Sequence, residues 1–349
     1  MLNGETIIAG CKLFTGKMWR LLEVCGGGRI MGVEKIELGE NEISQEDKAA
    51  CLLREELRLV AKTELREDDA IRTHALRQMR DWISKHPDIE YCRTDAPFLL
   101  RFLRTKKFCM PLAQEMLERY LTIRQIYPHW FSRFDVLDPT LSAILDSGYL
   151  IPLPERDEYG RCVLLACIGK FDPHKYTSAD MARVHSMVVE LLMDDPENQV
   201  RGYTYVNDDS GLSMSHVTLW SLNDLRSIIR CIQNSTPMRH KATHFFNVPN
   251  FANKVFDFVV SLMNEKLKNR VTFHSNVDDM KRVIDPKILP REYGGEIPTA
   301  DLISRLKKQL LEKREELLAL DKMKINVRNK KMEFEVNDMA GSFRKLEVD

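Results

Sequence analysis

The spacing of hydrophobic residues divides the chain into a helical first part and a second part in which helices alternate with strands. In the first part Ile71, Leu76, Met79 and Ile83 recur at the spacing of one helix face, and Pro87 marks the end of that helix. After position 148, short apolar runs such as VLLAC alternate with amphipathic segments. Alternating strands and helices are typical of a largely parallel sheet with helical crossovers.

Four strands are expected in the second part, in the segments GRCVLLACIG, GYTYVNDD, ATHFFNV and RVTFH. The predicted fold is therefore α/β, with an N-terminal helical lobe followed by a mostly parallel sheet with helical crossovers. The expected divisions of the chain are a poorly ordered extension (1–43), the helical lobe (44–135), the sheet domain (136–298), and a charged helix with a polar tail (299–349).

One helix of the sheet domain, expected from Phe251 to Asn269, carries more apolar surface than a surface helix requires. Its apolar residues form two stripes that together cover roughly 200° of the helical wheel. The first stripe contains Phe251, Val255, Phe258, Val259 and Leu262, and the second contains Phe256, Val260, Met263 and Leu267. One stripe can face the protein interior, whereas the second needs a different apolar surface to cover it. The alternative interpretation is that the helix is buried in a larger core.

Cationic residues flank this helix and the strand before it. Arg239 and Lys241 begin the strand, and Lys266, Lys268 and Arg270 follow the apolar stripes. In a parallel crossover, the start of a strand and the end of the following helix lie at the same edge of the sheet. We therefore expect the cations to converge beside exposed apolar surface, an arrangement that suits an anionic headgroup with acyl chains behind it. The alternative interpretation is that these cations are ordinary surface side chains in contact with solvent.

Composition limits the classes of function. The 349 residues include 52 Lys and Arg and 52 Asp and Glu, so the formal net charge is zero and nucleic-acid binding is not expected. The eight cysteines include no CxxC pair, which favours reduced thiols and a cytoplasmic location. No apolar stretch is long enough to span a bilayer, and the N-terminus lacks the apolar core of a signal peptide. Any contact with a membrane is expected to be peripheral.

One motif resembles a catalytic site and another resembles a metal site, and both have a simpler interpretation. GLSMS at 211–215 approaches the G-x-S-x-G elbow of hydrolases, but Ser215 replaces the last glycine, so Ser213 is expected to serve in a turn or cap. His240 and His244 have the spacing of zinc ligands on a helix, but in the predicted strand their rings would lie roughly 13 Å apart. We therefore predict no catalytic residue, no metal site and no cofactor.

Three separated segments resemble signatures of the CRAL-TRIO lipid-binding family. APFLLRFLRTKKF at 96–108 is similar to its N-terminal helical lobe, DDSGLSMSH at 208–216 to the segment after one of its strands, and ILPREYGG at 288–295 to the motif that closes its lipid-binding domain. The segments occur in the order of the family, and the resemblance covers roughly positions 68–298. Within the family it is strongest to the group of α-tocopherol transfer proteins, clavesins and cellular retinaldehyde-binding proteins.

The resemblance implies an apolar cavity between the sheet and a mobile lid helix that falls on 247–270. The implied lipid pocket contains His185, Val189, Tyr203, Ile228, Cys231, Ile232, Thr243, Val255 and Phe258. The implied lid residues are Phe251, Phe256, Val259, Leu262 and Met263. In the tocopherol-transfer group a basic cleft binds phosphoinositide headgroups, and the matching positions are Lys106, Arg239, Lys241, Lys266 and Arg270. His185 and Tyr203 are bulkier or more polar than a tocopherol site would favour.

The predicted function is that of an intracellular carrier, which binds a hydrophobic lipid and transfers or presents it at phosphoinositide-bearing membranes, endosomes among them. The ligand is left open among a tocopherol, a retinoid, a phospholipid and a sterol. One alternative is a lipid-sensing adaptor whose C-terminal helix, expected over 301–323, recruits a protein partner. Another is a lipid hydrolase that uses Ser213.

Overall fold

The computed structural model describes residues 53–327. The extension expected at 1–43, the first residues of the expected helical lobe (44–52) and the end of the expected polar tail (328–349) lie outside these residues. None of the helices within 53–327 is long and apolar enough to cross a membrane.

The helices of the N-terminal part are α1 (Glu55–Val60), which continues as a π-helical turn (Ala61–Leu65), α2 (Asp69–Lys85), α3 (Ala96–Thr105), α4 (Met110–Ile126), α5 (Pro128–Phe131) and α6 (Pro139–Ser147). The helices that follow are α7 (Ser178–Met193), α8 (Pro196–Arg201), α9 (Met214–Thr218), α10 (Leu222–Asn234), α11 (Asn253–Ser261), α12 (Glu265–Lys268), α13 (Val277–Lys281), α14 (Thr299–Glu312) and α15 (Arg314–Ala319). Short 3-10 helices span Ile168–Lys170, Asn250–Ala252, Pro286–Ile288, Arg291–Tyr293 and Leu320–Lys322. The strands are β1 (Ile89–Tyr91), β2 (Leu150–Pro152), β3 (Cys162–Cys167), β4 (Tyr203–Asp208), β5 (His240–Phe246), β6 (Val271–Phe273) and β7 (Lys324–Ile325).

A five-stranded sheet with the order β2-β3-β4-β5-β6 forms the centre of the second part. The pairs from β3 to β6 are parallel, and β2 runs antiparallel to β3. Strands β3 to β6 coincide with the four expected strands, and the prediction of an α/β fold with a mostly parallel sheet is confirmed. The sequence does not predict β2, because three residues are too few for an alternating pattern.

Aspartate side chains fix where several helices of the N-terminal part begin. The carboxylates of Asp68, Asp95 and Asp138 accept hydrogen bonds from backbone N–H groups in the first turns of α2, α3 and α6. In α3 and α6 a proline lies within the first two positions, where its missing N–H removes no hydrogen bond of the helix. Local sequence therefore sets the start of the helix α3, which connects the lobe to the sheet.

Two buried arginines of α3 connect the helical lobe with the sheet domain. Arg104 donates to both carboxylate oxygens of Glu67, at 2.9 and 2.7 Å, and to the side chain of Gln199 in α8 at 2.8 Å. Arg101 donates to Glu190 of α7 at 2.6 Å. Both arginine side chains are only 1% exposed. A charge so deeply buried depends on its partners, so these contacts hold α3 against α7 and α8.

The expectation of a single helix from Phe251 to Asn269 is wrong, because the helix is interrupted between α11 and α12. Gln233 of α10 causes the break by hydrogen bonding on both sides of it. Its Oε1 accepts from the backbone N–H of Asn264 at 2.6 Å, and its Nε2 donates to the carbonyl of Leu262 at 3.4 Å. The Asn264 side chain then caps α12 by accepting from Leu267 N at 2.9 Å.

The C-terminal helix expected over 301–323 is also divided, into α14, α15 and a final 3-10 turn. Arg314, at the start of α15, makes a bidentate ion pair with Asp135 at 2.6 Å for both contacts. The apolar side of the segment is buried against the core of this chain through Leu302, Leu306, Leu310, Leu317 and Leu320. A protein partner of this segment would therefore have to bind its charged face.

Replacing Arg104 with Ala is expected to lower the free energy of unfolding by about 3–5 kcal/mol, because it leaves the carboxylate of Glu67 buried without its main partner. Urea denaturation followed by circular dichroism measures the change. The control is Arg119→Ala, which removes an ion pair with Glu115 whose side chains are 41% and 50% exposed. That variant should change stability by less than about 1 kcal/mol. Equal effects of the two variants would contradict the structural role of the buried pair.

Candidate functional site

An apolar cavity of about 340 Å³ lies between the sheet and helices α7, α10 and α11. Strand β4 contributes Tyr205 and Asn207, which point to the same side of the sheet because they lie two residues apart. Thr243 of β5, the register partner of Tyr205, extends the same wall. The remaining wall is provided mostly by aliphatic and aromatic side chains of the helices. The enclosed surface therefore suits a hydrophobic molecule.

Six of the nine predicted pocket residues line this cavity, namely His185, Val189, Ile228, Cys231, Ile232 and Thr243. Tyr203 does not line it. The Tyr203 side chain is 1% exposed, and its hydroxyl donates to the carbonyl of Leu192 at the end of α7, 3.2 Å away. Tyr203 thus packs β4 against α7 instead of facing the cavity.

Val255 and Phe258 also lie outside the cavity lining, and the rotation of α11 explains why. The cavity-facing side chains of this region are Val259, Met263 and Leu267. They are spaced by four residues and so follow one side of the helix and its continuation. Phe258 points elsewhere, with the guanidinium of Arg226 5.7 Å from its ring centre. The sequence cannot define this rotation, because both apolar stripes are equally suited to a cavity.

The segment 253–268 covers the cavity without being buried itself. No residue of α11 or α12 falls in the buried class. Of the predicted lid residues, Val259 and Met263 line the cavity, Leu262 lies at the break between the helices, and Phe251 is 47% exposed. The alternative of a helix buried in a larger core is therefore wrong for this segment.

Phe256, the fifth predicted lid residue, connects α11 with the edge of the sheet. Its ring lies edge-on to Phe245 of β5 and to Phe273 of β6, with centroid distances of 5.2 and 5.7 Å. Phe273 is itself 48% exposed. The contact of α11 with the edge of the sheet is thus a small aromatic cluster near solvent, which is weaker than the packing of a core helix.

Sequence reasoning missed several cavity residues. On α7, Met181, Ser186 and Met193 line the cavity, and their helical spacing from His185 and Val189 is a signal that could have found them. The aromatic residues that complete the wall, Trp130, Phe131 and Trp220, come from α5 and from the segment before α10. No local pattern in the sequence connects them with the pocket.

Three polar rings are stacked along the cavity wall. The ring of Tyr205 lies between those of His185 and His240, with centroid distances of 5.8 and 5.5 Å. The Tyr205 hydroxyl is 3.2 Å from His185 Nε2. Burial lowers the pKa of both His185 and His240 to about 4, so these rings are neutral at pH 7. We call these residues the ring stack.

A second hollow, of about 450 Å³, adjoins the cavity and contains all five predicted headgroup-binding cations. They are Lys106, Arg239, Lys241, Lys266 and Arg270, and we call this hollow the basic cleft. Lys107 lines it as well. The cleft and the cavity share Ile232, Thr236, Met238, His240 and Leu267 in their linings. A ligand in one hollow would therefore be separated from a ligand in the other by a single layer of side chains.

One carboxylate enters the basic cleft from the π-helical turn that follows α1. Glu64 Oε2 accepts hydrogen bonds from Arg239 Nη2 at 2.8 Å and from Lys241 Nζ at 2.9 Å. Partial burial opposes ionisation of Glu64, but these two hydrogen bonds outweigh it and lower the pKa of its carboxyl. Two of the five cations are thus engaged by Glu64, a pairing that no pattern in the sequence predicts.

Lys106 and Lys266 have no carboxylate within ion-pair distance among residues 53–327. Burial, together with the positive charges of Arg270, Lys107, Lys106 and Arg239, lowers the pKa of Lys266. Burial also lowers the pKa of Lys106. A cluster of cations that lowers the pKa of one of its own members in this way attracts anions. This part of the cleft is accordingly open to an anionic ligand.

Comparison with known proteins identifies the architecture. Residues 146–295 match the model of the CRAL/TRIO domain, and residues 68–141 match that of the Pinta-like, UBA domain. Clavesin-1 from Mus musculus is 32% identical over 243 residues, which is 69% of this chain and 69% of the relative. The chain belongs to the CRAL-TRIO family. Clavesin-2 from Homo sapiens is also 32% identical, over 69% of this chain and 74% of the relative.

A solved structure titled "Crystal structure of Sfh5" aligns with this CRAL-TRIO chain at a TM-score of 0.45 and 15% identity. The alignment covers 76% of this chain and 98% of that chain. The domain boundaries expected at positions 135 and 298 stay predictions.

Two CRAL-TRIO motifs meet at the residue where the chain turns towards α11. Asn247 has a left-handed backbone with φ of 58°, a conformation that asparagine tolerates better than most residues. Its Nδ2 donates to Asp208 Oδ1 at 3.0 Å and to Ser210 Oγ at 2.8 Å. The Tyr293 hydroxyl donates to the other oxygen of Asp208 at 2.6 Å. Segments 208–216 and 288–295 of this CRAL-TRIO domain therefore jointly hold the turn that leads into α11.

Ser213 and His216 of this CRAL-TRIO domain close the N-terminus of α9. Ser213 Oγ lies 2.8 Å from His216 Nδ1, and His216 Nε2 lies 2.9 Å from the carbonyl of Phe171. Since that carbonyl can only accept, Nε2 carries the proton and Nδ1 accepts from Ser213. The arrangement is a capping box, the kind of role expected for Ser213.

The histidines considered as zinc ligands do not come together in this CRAL-TRIO chain. His244 Nδ1 is 3.0 Å from His274 Nε2, while His240 belongs to the ring stack. Within residues 53–327, no three His, Cys, Asp or Glu side chains are placed to hold a metal ion.

Asp209 should give this CRAL-TRIO protein a stability that depends on pH. Its Oδ2 is buried without a hydrogen-bond partner in the described part of the chain, and burial, then the charge of Asp208, raise its pKa to about 7. The proton held by the folded state favours folding most below about pH 4, and this contribution is lost as the pH rises through about 7. Asp209→Asn should therefore gain thermal stability over the parent, by a margin that grows from about pH 4 to 7 and is constant above.

Melting temperatures across this pH range test the expectation, and exposed Asp257 provides the matched control. Asp257→Asn should leave the pH profile of the parent unchanged. A constant difference between Asp209→Asn and the parent at all pH values would show that Asp209 is ionised in the folded protein.

Proposed function

We propose that this chain is a carrier that binds a hydrophobic lipid in its cavity and releases or presents it at membranes that contain phosphoinositides. The observation that carries the proposal is the arrangement of two adjoining hollows, one apolar and one cationic, beneath and beside a helix that is not buried. Membership of the CRAL-TRIO family supports the role of a lipid carrier.

The cavity supports a hydrophobic cargo on physical grounds. Its volume of about 340 Å³ lies within the usual range of roughly 300–1,000 Å³ for ligand sites. Among residues 53–327, Glu190 is the only carboxylate in the cavity lining, and it is already engaged by Arg101 at 2.6 Å and by the Tyr120 hydroxyl at 2.6 Å. A charged cargo would find no free countercharge there, whereas a lipid would replace water along an apolar wall.

The basic cleft supports recognition of phosphoinositide headgroups. Guanidinium and ammonium groups converge there, and both donate charge-assisted hydrogen bonds to phosphate oxygens. Three residues at the end of the covering segment, Asn264, Lys266 and Leu267, line the same hollow. A headgroup bound there would therefore contact the end of the segment that covers the cargo.

Contact with a bilayer would favour opening of the segment 253–268. In the closed state Phe251 and Phe273 are about half exposed to water, and in an open state the cavity-facing side chains would join them. Only a membrane can bury this combined apolar surface, so the open population increases at the membrane and the cargo gains an exit. On this proposal the protein binds membranes peripherally, from the cytoplasm, at endosomes or other phosphoinositide-bearing organelles.

Lys106→Glu combined with Lys266→Glu reverses the two cleft lysines that make no ion pair within residues 53–327. This double variant should reduce binding to phosphoinositide vesicles more than about tenfold, since each cation near an anionic surface contributes roughly 1 kcal/mol. Co-sedimentation with phosphatidylcholine vesicles, with and without phosphatidylinositol bisphosphate, measures the effect. Loading of the cavity, followed by native mass spectrometry of co-purified lipid, should be unchanged.

The control for this charge reversal is Lys287→Glu with Arg305→Glu, which changes net charge equally at exposed positions outside the cleft. This control should retain binding. An equal loss in both double variants would mean that net charge alone, and not the cleft, attracts the membrane.

Glu64→Gln should strengthen binding to the same vesicles by roughly fivefold to tenfold, because it frees Arg239 and Lys241 and removes a negative charge beside the phosphate site. Glu55→Gln is the matched control, since its carboxylate lies on α1 and is 90% exposed. Weaker binding by Glu64→Gln would indicate instead that the carboxylate holds the two cations in a binding-competent position.

A further inference from the structure

One polar atom next to the cavity has no partner. His240 Nε2 is buried and makes no hydrogen bond within residues 53–327. Leaving such a group unsatisfied costs about 1–3 kcal/mol, so an unpaired buried nitrogen at a cavity wall calls for an explanation. A bound ligand that supplies the missing hydrogen bond provides one.

The ring stack gives this atom two neighbours with remaining hydrogen-bonding capacity. The Tyr205 hydroxyl can both donate and accept, and its contact with His185 uses only one of these capacities. The backbone explains the cluster, because Tyr205 and His240 lie on adjacent parallel strands, and His185 projects from α7 across them. The stack therefore forms one polar patch in a wall that is otherwise mostly apolar.

The chemistry of the patch distinguishes between kinds of polar group. A phenol and two neutral imidazoles offer hydrogen bonds but no net charge, so a carboxylate or phosphate would be desolvated there without compensation. An alcohol or a carbonyl needs only the hydrogen bonds. The cations that suit a phosphate lie beyond His240, in the basic cleft whose wall His240 shares.

The volume restricts the ligand further. At about 340 Å³ the cavity is near the lower end of the range for ligand sites, which favours a single hydrocarbon chain or a small fused-ring lipid over a two-chain phospholipid. We propose that the ring stack of His185, Tyr205 and His240 is the polar end of the cavity, and that it binds the neutral oxygen group of a single-chain lipid alcohol or carbonyl compound. This inference rests on the proposed carrier function and specifies its cargo.

The test compares two probes that differ in one hydroxyl, radiolabelled hexadecanol and hexadecane. Each is offered to the full-length protein from phosphatidylcholine vesicles without phosphoinositide, the vesicles are sedimented, and the protein-bound lipid is counted. The measured quantity is the ratio of bound hexadecanol to bound hexadecane, because a comparison of this ratio between variants cancels the different partition of the probes into vesicles.

Tyr205→Phe and His240→Phe should each lower this ratio by about tenfold relative to the parent, which corresponds to ~1.4 kcal/mol, with hexadecane binding retained. Tyr149→Phe is the matched control, because Tyr149 lines the same cavity outside the ring stack, and it should keep the parental ratio. Tyr205→Phe deletes a single oxygen atom, so the test stands even if His240→Phe does not fold.

Two results would overturn the inference. If the parent binds both probes and the ratio is unchanged in Tyr205→Phe, or falls equally in Tyr149→Phe, the ring stack is not the polar end but the carrier proposal survives. If the parent takes up neither probe, the carrier proposal fails together with this one.

Discussion

The parallel crossover from β5 to β6 is the constraint on which the site depends. Because both strands run in one direction, the chain must return across the face of the sheet, and α11 and α12 make that return over the cavity. The same return brings Arg270, immediately before β6, to the edge where β5 begins, and its guanidinium there donates to the carbonyl of His240. The apolar cover and the cluster of cations are thus two results of one connection.

The packing around this connection is uneven. The helical lobe is joined to α7 and α8 by arginines that are 1% exposed, whereas the covering helices have no buried residue and depend on a few aromatic contacts and the side chain of Gln233. The buried ion pairs therefore stabilise the contact of the lobe with α7 and α8, whereas the covering helices have fewer buried contacts, as is usual for segments of low local stability. The hydrogen bonds of Asn247 with Asp208 and Ser210 fix one end of that segment.

The six predicted pocket residues that line the cavity followed from the family resemblance. Local pattern in the sequence was sufficient for strands β3 to β6 and for the convergence of the cations beside β5 and α12. It was insufficient where position depends on rotation or on distant contacts. Val255 and Val259 are equivalent in an apolar stripe, and only packing decides which one faces the cavity. Glu64 lies 175 residues from Arg239 in sequence, and no periodicity predicts that they pair. The break at Asn264 likewise depends on Gln233, from another helix.

The single layer of side chains between the two hollows has a thermodynamic consequence. Met238 and Leu267 touch both spaces, so any adjustment they make to an occupant on one side alters the site on the other. Linkage requires the influence to be mutual: if a filled cavity changes the affinity for a headgroup by some factor, the headgroup must change the affinity for cargo by the same factor. On the proposed function, release and uptake of the cargo are then the two directions of one equilibrium.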